Sequence, residues 1–237
     1  MFECDLHVHS IRSTCGVHTL LEIVSIMHRK GIRGFALTDH GPALDTPKAH
    51  FSVLLRRVPH IIDGIRVFKG IEASVMNIEG DLDLPEIPGY AYEALLAGLH
   101  HHDAFTVSPG KENNTRALVN AMRKYPSLKV ITHPLYTTLP VDLDALTDVA
   151  AETGTALEIN NSHMRMGKVN LARLDEMLEY ARLKGTLLAV NSDGHVFTEM
   201  GEFDCAITYM EPFGLESFNI VNRTLESSAA FLGVETG

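Results

Sequence analysis

The sequence predicts an α/β protein, built either as a (β/α) barrel or as an open doubly wound parallel sheet. Short apolar segments rich in β-branched residues alternate with longer segments of helical period, as in strand–helix–strand units with right-handed crossovers. Seven such strand segments fall within residues 3–193. Each of them ends in a polar or charged side chain, which is typical of barrels that carry an active site at one end.

The predicted strands and helices follow one another in regular order. The strand segments are residues 3–9, 34–39, 67–72, 94–100, 129–133, 156–160 and 187–193, and the helical segments are residues 20–30, 115–125, 143–153 and 171–184. Glycines at Gly31 and Gly185 favour the ends of two helices. Residues 76–91 break the alternation and are predicted to form a hairpin or loop that turns at Glu79 and Gly80. The last predicted elements are a strand at 218–223 and a helix at 225–232.

Composition restricts the class of protein. The 237 residues contain no linker or repeat, so residues 1–237 are predicted to form a single domain. A net charge of −10 without a basic run disfavours binding to long nucleic acids. Three cysteines without a CxxC pair fit a reducing cytoplasm better than a disulfide framework. The N-terminus does not resemble a signal peptide, and no apolar run approaches the roughly 20 residues of a membrane span, so a cytoplasmic protein is expected.

The residues at the strand ends are mostly of metal-ligand types. They are His7, His9, His40, Glu72, His100, His133, Asp193 and His195. Because the C-terminal ends of parallel barrel strands meet at one rim, we expect these side chains to converge there on rigid elements. His101 and His102 are expected to lie behind the ligands or to face solvent, and His28, His50 and His60 to be surface or packing residues.

The spacing within the first strand aims two imidazoles the same way. In an extended strand His7 and His9 share one face, so they are predicted to point into the barrel, while Leu6 and Val8 pack on the helices. Eight ligands are too many for one zinc ion with about four, and they suit two or three cations that share a bridging carboxylate, Glu72. An imidazole-rich set with few carboxylates favours zinc, manganese or iron over magnesium or calcium.

The ordered motifs DLHVHS, TDHG, GIE, GLH, THP, EINNS and NSDGH, followed by MGEF, resemble the PHP (polymerase and histidinol phosphatase) family, and in particular its stand-alone YcdX-like phosphatase branch. The resemblance runs from residue 3 to about residue 203. It implies a distorted seven-stranded (β/α) TIM-like barrel with a trinuclear metal centre that hydrolyses phosphoesters. The resemblance implies that His7 and His9 bind the first metal, with Glu72 as the bridge and Asp193 completing the cluster. It implies that His100 and His133 bind the second metal, and His40 and His195 the third.

One position departs from the family pattern. The phrase STCGVH places Cys15 where the pattern has a histidine six residues after the HxH pair. A cysteine thiolate is a good zinc ligand, so Cys15 is the favoured replacement. His18 could reach the site instead, or the third site could lack this ligand.

The predicted activity is hydrolysis of a small phosphomonoester with the help of two or three cations, in the first place zinc. Such cations neutralise phosphoryl oxygens and lower the pKa of a water molecule toward about 7. The sequence has no GxSxG or P-loop pattern that would indicate another mechanism. Glu72, Asp193 and His195 are therefore the predicted catalytic residues.

Other residues receive supporting roles. Arg12, Arg165 and Lys168 are candidate phosphate contacts, with solvated loop charges as the alternative. Asp5 and Asp39 are predicted to orient imidazole N–H groups. Specificity is expected to come from the loops at residues 41–52, 76–91, 103–114 and 135–140.

Three alternative functions remain open. An amidohydrolase also uses an HxH strand and a late aspartate, and turnover of amides or lactones would indicate it. A nuclease acting on nucleotides or single-strand ends is compatible with an acidic surface if its substrates are short. A metal-binding protein without catalysis would contain metal and hydrolyse nothing.

Overall fold

The structure, a computed structural model, describes residues 2–101 and 110–236. His102 and most of the predicted specificity loop 103–114 lie outside the described residues. All seven predicted strands are present, as β1 (Cys4–Val8), β2 (Gly34–Leu37), β4 (Ile65–Ser74), β5 (Ala94–Gly98), β6 (Leu128–Ile131), β7 (Ala156–Asn160) and β8 (Leu187–Asn191). Two short strands complete the sheet, β3 (Ile61–Ile62) and β9 (Asn219–Ile220).

The strands form one curled sheet in the order β1-β2-β4-β5-β6-β7-β8-β9. All neighbours along this path run parallel, and β3 pairs antiparallel with β4. The curl brings β1 back to the segment after β8, where Val8 bridges to Gly194 and the His9 N–H donates to the Gly194 carbonyl at 3.0 Å. The predicted distorted α/β barrel is confirmed, with eight parallel strands rather than seven because segment 218–223 contributes β9.

Five helices match the sequence prediction. They are α1 (Leu20–Arg29), α3 (Lys111–Lys124), α4 (Leu143–Thr153), α6 (Leu171–Lys184) and α8 (Leu225–Leu232). The Thr19 side chain starts α1 in a capping box with Glu22, which satisfies two backbone donors. Gly185 ends α6 in the left-handed region at φ 71°, a conformation that favours glycine.

Three helices were not predicted: α2 (Lys48–Arg57), α5 (Asn161–Arg165) and α7 (Asp204–Met210). The prediction of a loop at 41–52 is therefore wrong over its second half. The signal for α2 was present, because Phe51, Leu54 and Leu55 have helical spacing and are all buried. The predicted turn at 76–91 is confirmed: Val75 pairs antiparallel with Leu82, and Gly80 turns the chain at φ 77°.

A bulge in β1 changes which side chains face the barrel interior. The register of β1 against β2 shifts between Asp5 and Val8. Leu6 consequently joins the apolar floor of the barrel with Phe68 and Leu96, whereas Val8 packs in the outer core. The prediction that Leu6 and Val8 face the same helices is wrong, because strict alternation fails where the register shifts.

The opposite, N-terminal end of the barrel is closed by α8. Leu225, Ala229 and Leu232 pack into the same cluster as Cys4 and the floor residues. This apolar cluster fills the N-terminal end of the barrel, opposite the rim where the predicted ligands lie. Within the part of the chain that the structure describes, no helix is both long and apolar enough to cross a membrane.

Candidate metal centre

The predicted ligands lie together at the C-terminal rim. His7 and Glu72 lie within β1 and β4, and the others follow the ends of their strands by one to four residues. A cavity of about 290 Å³ opens above them. Its lining consists of Cys15, His40, Leu44, Glu72, Leu99, His100, His101, His133, Tyr136, His163, Asp193 and His195.

Glu72 lies at the middle of the cluster and is 1% exposed. Its Oε1 atom lies 2.9 Å from Nε2 of His133 and 3.2 Å from Nε2 of His100. Its Oε2 atom lies 2.9 Å from Nδ1 of His40 and 3.2 Å from Nε2 of His7. The two oxygens of one carboxylate thus face different pairs of imidazoles, which is the arrangement of a bridging ligand.

Asp193 lies close to both His7 and His9. Its Oδ1 atom lies 3.2 Å from Nε2 of His9 and 3.5 Å from Nε2 of His7. Both Asp193 and His133 adopt left-handed backbone conformations, with φ of 53° and 35°. Such conformations are strained for residues with a Cβ, and they are held here where the two side chains turn toward the cavity.

The ring nitrogens of His7 and His9 are arranged to accept a cation. His7 Nδ1 lies 2.7 Å from the Glu158 carboxylate, which accepts its proton. His9 Nδ1 lies 3.2 Å from Oγ of Ser13, whose own hydroxyl donates to Asp39. Both neutral rings therefore present an Nε2 lone pair, and these two atoms are only 3.0 Å apart. Lone pairs at this distance repel unless a proton or a metal ion lies between them.

Burial and the neighbouring charges affect the two rings differently. At His7 the effect of burial is outweighed by the carboxylates of Glu72, Glu158 and Asp193, so the pKa lies well above its usual range. At His9 burial and the neighbouring cationic imidazoles act in the same direction and lower the pKa to about 3. The surroundings therefore favour the protonated form of His7 and the neutral form of His9.

A second group of predicted ligands lies around Cys15. The ligand atoms of His9, Cys15, His40 and His195 all lie within 4.8 Å of one another. Burial raises the Cys15 pKa, but hydrogen bonds with the imidazoles of His195 and His40 outweigh it and bring the pKa to about 6. His18 is turned elsewhere, since its Nε2 accepts a hydrogen bond from the Phe197 N–H at 3.1 Å.

Two buried polar atoms of the site lack hydrogen-bond partners among the described residues, as expected of atoms that bind cations. His40 Nδ1 and Glu72 Oε2 are buried, and neither has a well-aligned hydrogen bond within the described residues. Two further groups, His7 with His9 and Glu72, and His40 with Glu72 and His100, also have ligand atoms within 4.8 Å. Imidazole, carboxylate and thiol groups in this proportion are the donors that zinc and similar transition metals prefer.

Several residues that support the site were missed or misread from the sequence. Glu158 lies within a predicted strand but received no role, although its carboxylate accepts a hydrogen bond from His7. His50 was predicted to be a surface or packing residue, yet its Nε2 lies 2.8 Å from the buried Asp39 carboxylate. The Asp5 carboxylate accepts hydrogen bonds from Ser192 and from backbone N–H groups, and so fixes the loop after β8 rather than an imidazole ring. The supporting roles of these residues are visible only from their contacts in the folded chain, so no sequence signal identified them.

The predicted phosphate contacts lie outside the lining of the cavity. Arg165 forms an ion pair with Asp204 at 2.8 Å. The Lys168 ammonium lies 5.8 Å from the ring centroid of Tyr136, which does line the cavity. Arg12 is exposed on the loop after β1. His101 lies at the cavity edge, where its Nε2 lies 3.0 Å from Thr138 Oγ1.

Comparison with known proteins identifies relatives along nearly the whole chain. Residues 5–208 match the PHP domain family. A probable phosphatase from Syntrophotalea carbinolica is 36% identical over 238 residues, covering 99% of this chain and 97% of the relative. A probable phosphatase from Shewanella sp. strain MR-4 is 35% identical over 233 residues, covering 98% of this chain and 91% of the relative.

Solved structures share the fold. Histidinol phosphate phosphatase from Lactococcus lactis, complexed with zinc, L-histidinol and phosphate, has a TM-score of 0.65 and 16% identity, with coverage of 92% of this chain and 95% of that one. A chain of archaeal ribonuclease P with mature tRNA has a TM-score of 0.55 and 10% identity, with coverage of 96% and 90%. The sequence matches, with their near-complete coverage, confirm the predicted resemblance, and the chain belongs to the PHP domain family.

Proposed function

We propose that this protein is a metal-dependent phosphatase that hydrolyses small phosphomonoesters. The observation that carries the proposal is the position of Glu72. Its two oxygens face separate groups of imidazoles below an open cavity. A carboxylate so placed can bridge two cations. The related proteins named probable phosphatases support the same chemistry.

The proposed ligand sets follow the contacts of the cluster. His7, His9 and Asp193 hold the first cation, and His100 and His133 hold the second, with Glu72 shared between them. His40, His195 and Cys15 hold a third. Zinc is the favoured metal because imidazole and thiolate donors suit it, and manganese or iron is the alternative.

Bound cations and the residues of the cavity have different parts in the proposed reaction. Bound cations would neutralise the phosphoryl oxygens and lower the pKa of an attacking water. Glu72 and Asp193 fix the separation of the ligand groups, and His195 lies beside Asp193 at the cavity wall. Leu44, Leu99 and Tyr136 line the cavity next to the cluster and can contact the organic part of the substrate. Among Arg12, Arg165 and Lys168, Lys168 is the best placed to reach a phosphate, because it lies beside Tyr136, which lines the cavity.

We assign this activity to a reducing compartment, the cytoplasm. All three cysteines are free, and Cys15 is exposed beside two histidines. Its proposed role as a ligand requires the thiol to stay reduced.

Hydrolysis of 4-nitrophenyl phosphate tests the proposal directly. The chelated protein should be inactive, and added Zn²⁺ or Mn²⁺ should restore turnover. His9→Ala and Asp193→Asn should abolish it, whereas His28→Ala, on the exposed face of α1, should leave it unchanged.

Hydrolysis of other classes of substrate by the same zinc-loaded protein separates the alternative functions. Amides, lactones and dinucleotides tested in parallel should be poor substrates, and inorganic phosphate should inhibit. Preferential turnover of an amide or a dinucleotide would indicate the amidohydrolase or the nuclease instead. Metal binding without hydrolysis of any of these compounds would contradict an enzymatic role.

A further inference from the structure

His163 is a cavity residue that the proposed ligand sets do not use. It lies on α5, directly after β7, and its backbone N–H donates to Oδ1 of Asn160 at 2.9 Å. The Nδ2 of the same asparagine donates to Oδ2 of Asp193 at 3.0 Å. The imidazole ring stacks on His133 with a centroid distance of 5.2 Å and contacts Tyr136 at 4.9 Å. His163 is therefore held rigidly at the edge of the cluster.

The environment of its ring determines where a neutral imidazole carries its proton. Nδ1 of His163 is buried and has no hydrogen-bond partner among the described residues. A proton on Nδ1 would be a buried donor without an acceptor, which is costly. The proton is consequently favoured on Nε2, the ring nitrogen that faces Asp193 at the cavity wall.

This Nε2–H group is not committed to a protein acceptor. Its distance to Oδ2 of Asp193 is 3.9 Å, beyond hydrogen-bonding range, and that oxygen already accepts from Asn160. The cavity has no lysine or arginine among its described lining residues. His101, the other histidine of the cavity lining that lies outside the ligand sets, is exposed and lies against Thr138. A rigid imidazole donor thus stands where other phosphate sites use a basic side chain.

We propose that His163 binds the phosphoryl group of the substrate by donating a hydrogen bond from Nε2 to a non-bridging oxygen. The proposal rests on the phosphatase function inferred above, and it gives His163 a substrate-binding role rather than a metal-binding one. A hydrogen bond to a charged acceptor is strong enough for its loss to weaken phosphate binding about tenfold.

Two substitutions separate the hydrogen bond from the packing of the ring. His163→Phe keeps an aromatic ring against His133 and Tyr136 but removes the donor. His163→Gln places an amide N–H near the position of Nε2. For each zinc-loaded protein we would measure the dissociation constant of inorganic phosphate by calorimetry, the zinc content by elemental analysis, and the melting temperature.

The proposal expects phosphate to bind His163→Phe about tenfold more weakly, His163→Gln to recover most of the affinity, and zinc content to stay at the wild-type value. Unchanged phosphate affinity in His163→Phe would overturn it, as would a loss of zinc, which would make His163 a ligand or a scaffold residue. If even the wild-type protein failed to bind phosphate, the phosphatase proposal would fall first. The two failures can be told apart, because the absence of phosphate binding to the wild-type protein does not involve the His163 substitutions.

Discussion

Nδ1 of His7 lies 2.7 Å from Oε1 of Glu158, in a contact between two side chains that are completely buried. Glu158 also accepts from the backbone N–H of His133 and from the amides of Asn160 and Asn191. One carboxylate beneath the cluster therefore sets the orientation of two proposed ligands. Carboxylates in this position fix the tautomer of a ligating histidine and increase its basicity.

Replacing Glu158 should weaken the metal centre without removing a ligand. We expect Glu158→Gln to lower zinc affinity or turnover by roughly 10–100-fold, because His7 loses its charged partner. Competition with a chromophoric chelator measures the affinity. Glu152→Gln, which breaks an exposed ion pair with Arg123, is the matched control and should bind zinc normally. Equal affinities for the two variants would contradict the role given to Glu158.

Asp39 should be important for stability even in the absence of metal. Its buried carboxylate accepts from the Ser10 N–H at 2.7 Å and the Ser13 hydroxyl at 2.9 Å, and Nε2 of His50 lies 2.8 Å from its Oδ2. Asp39→Asn leaves part of this network unpaired and should lower the free energy of unfolding by roughly 2–3 kcal/mol. Urea unfolding of the chelated protein measures the change. Asp148→Asn, at an exposed carboxylate whose partner Lys184 also pairs with Asp144, should alter stability by no more than about 0.5 kcal/mol.

The role of Cys15 has a spectroscopic signature. If its thiolate is a ligand, the cobalt-substituted protein should show a near-ultraviolet sulfur-to-cobalt charge-transfer band. Cys15→Ser should lose this band and one metal per chain, whereas Cys205→Ser, at a second partly accessible thiol, should keep both. A band that survives in Cys15→Ser, or three metals retained by it, would exclude the thiolate from the centre.

Metal binding should also stabilise the fold, because ligand atoms such as the Nε2 atoms of His7 and His9 are brought together only in the folded chain. With free zinc at about 100 times its dissociation constant, the expected gain in the free energy of unfolding is about 2.7 kcal/mol for one site. Melting temperatures with zinc and with chelator measure it. His9→Ala should show a much smaller increase, and an unchanged melting temperature in the wild-type protein would argue against a folded-state metal site.

The amino-acid sequence by itself determined the alternation of strands and helices and the identity of the rim residues, and its resemblance to a known family indicated the barrel. Apolar periodicity reports burial directly, and ligand-type residues at strand ends such as His9, His133 and Asp193 lie on one rim in any parallel barrel. For the same reason, seven motifs spread over the chain were sufficient to indicate the family.

Only the tertiary structure decided the contacts among these residues. The bulge that moves Leu6 to the barrel floor, the turn of His18 away from the cluster, and the support from Glu158 and His50 all depend on side chains distant in sequence. His163 is the clearest case, since a histidine on a short helix has no distinctive spacing. Its function depends on which ring nitrogen is buried, and burial is a property of the packed chain, which the local sequence does not encode.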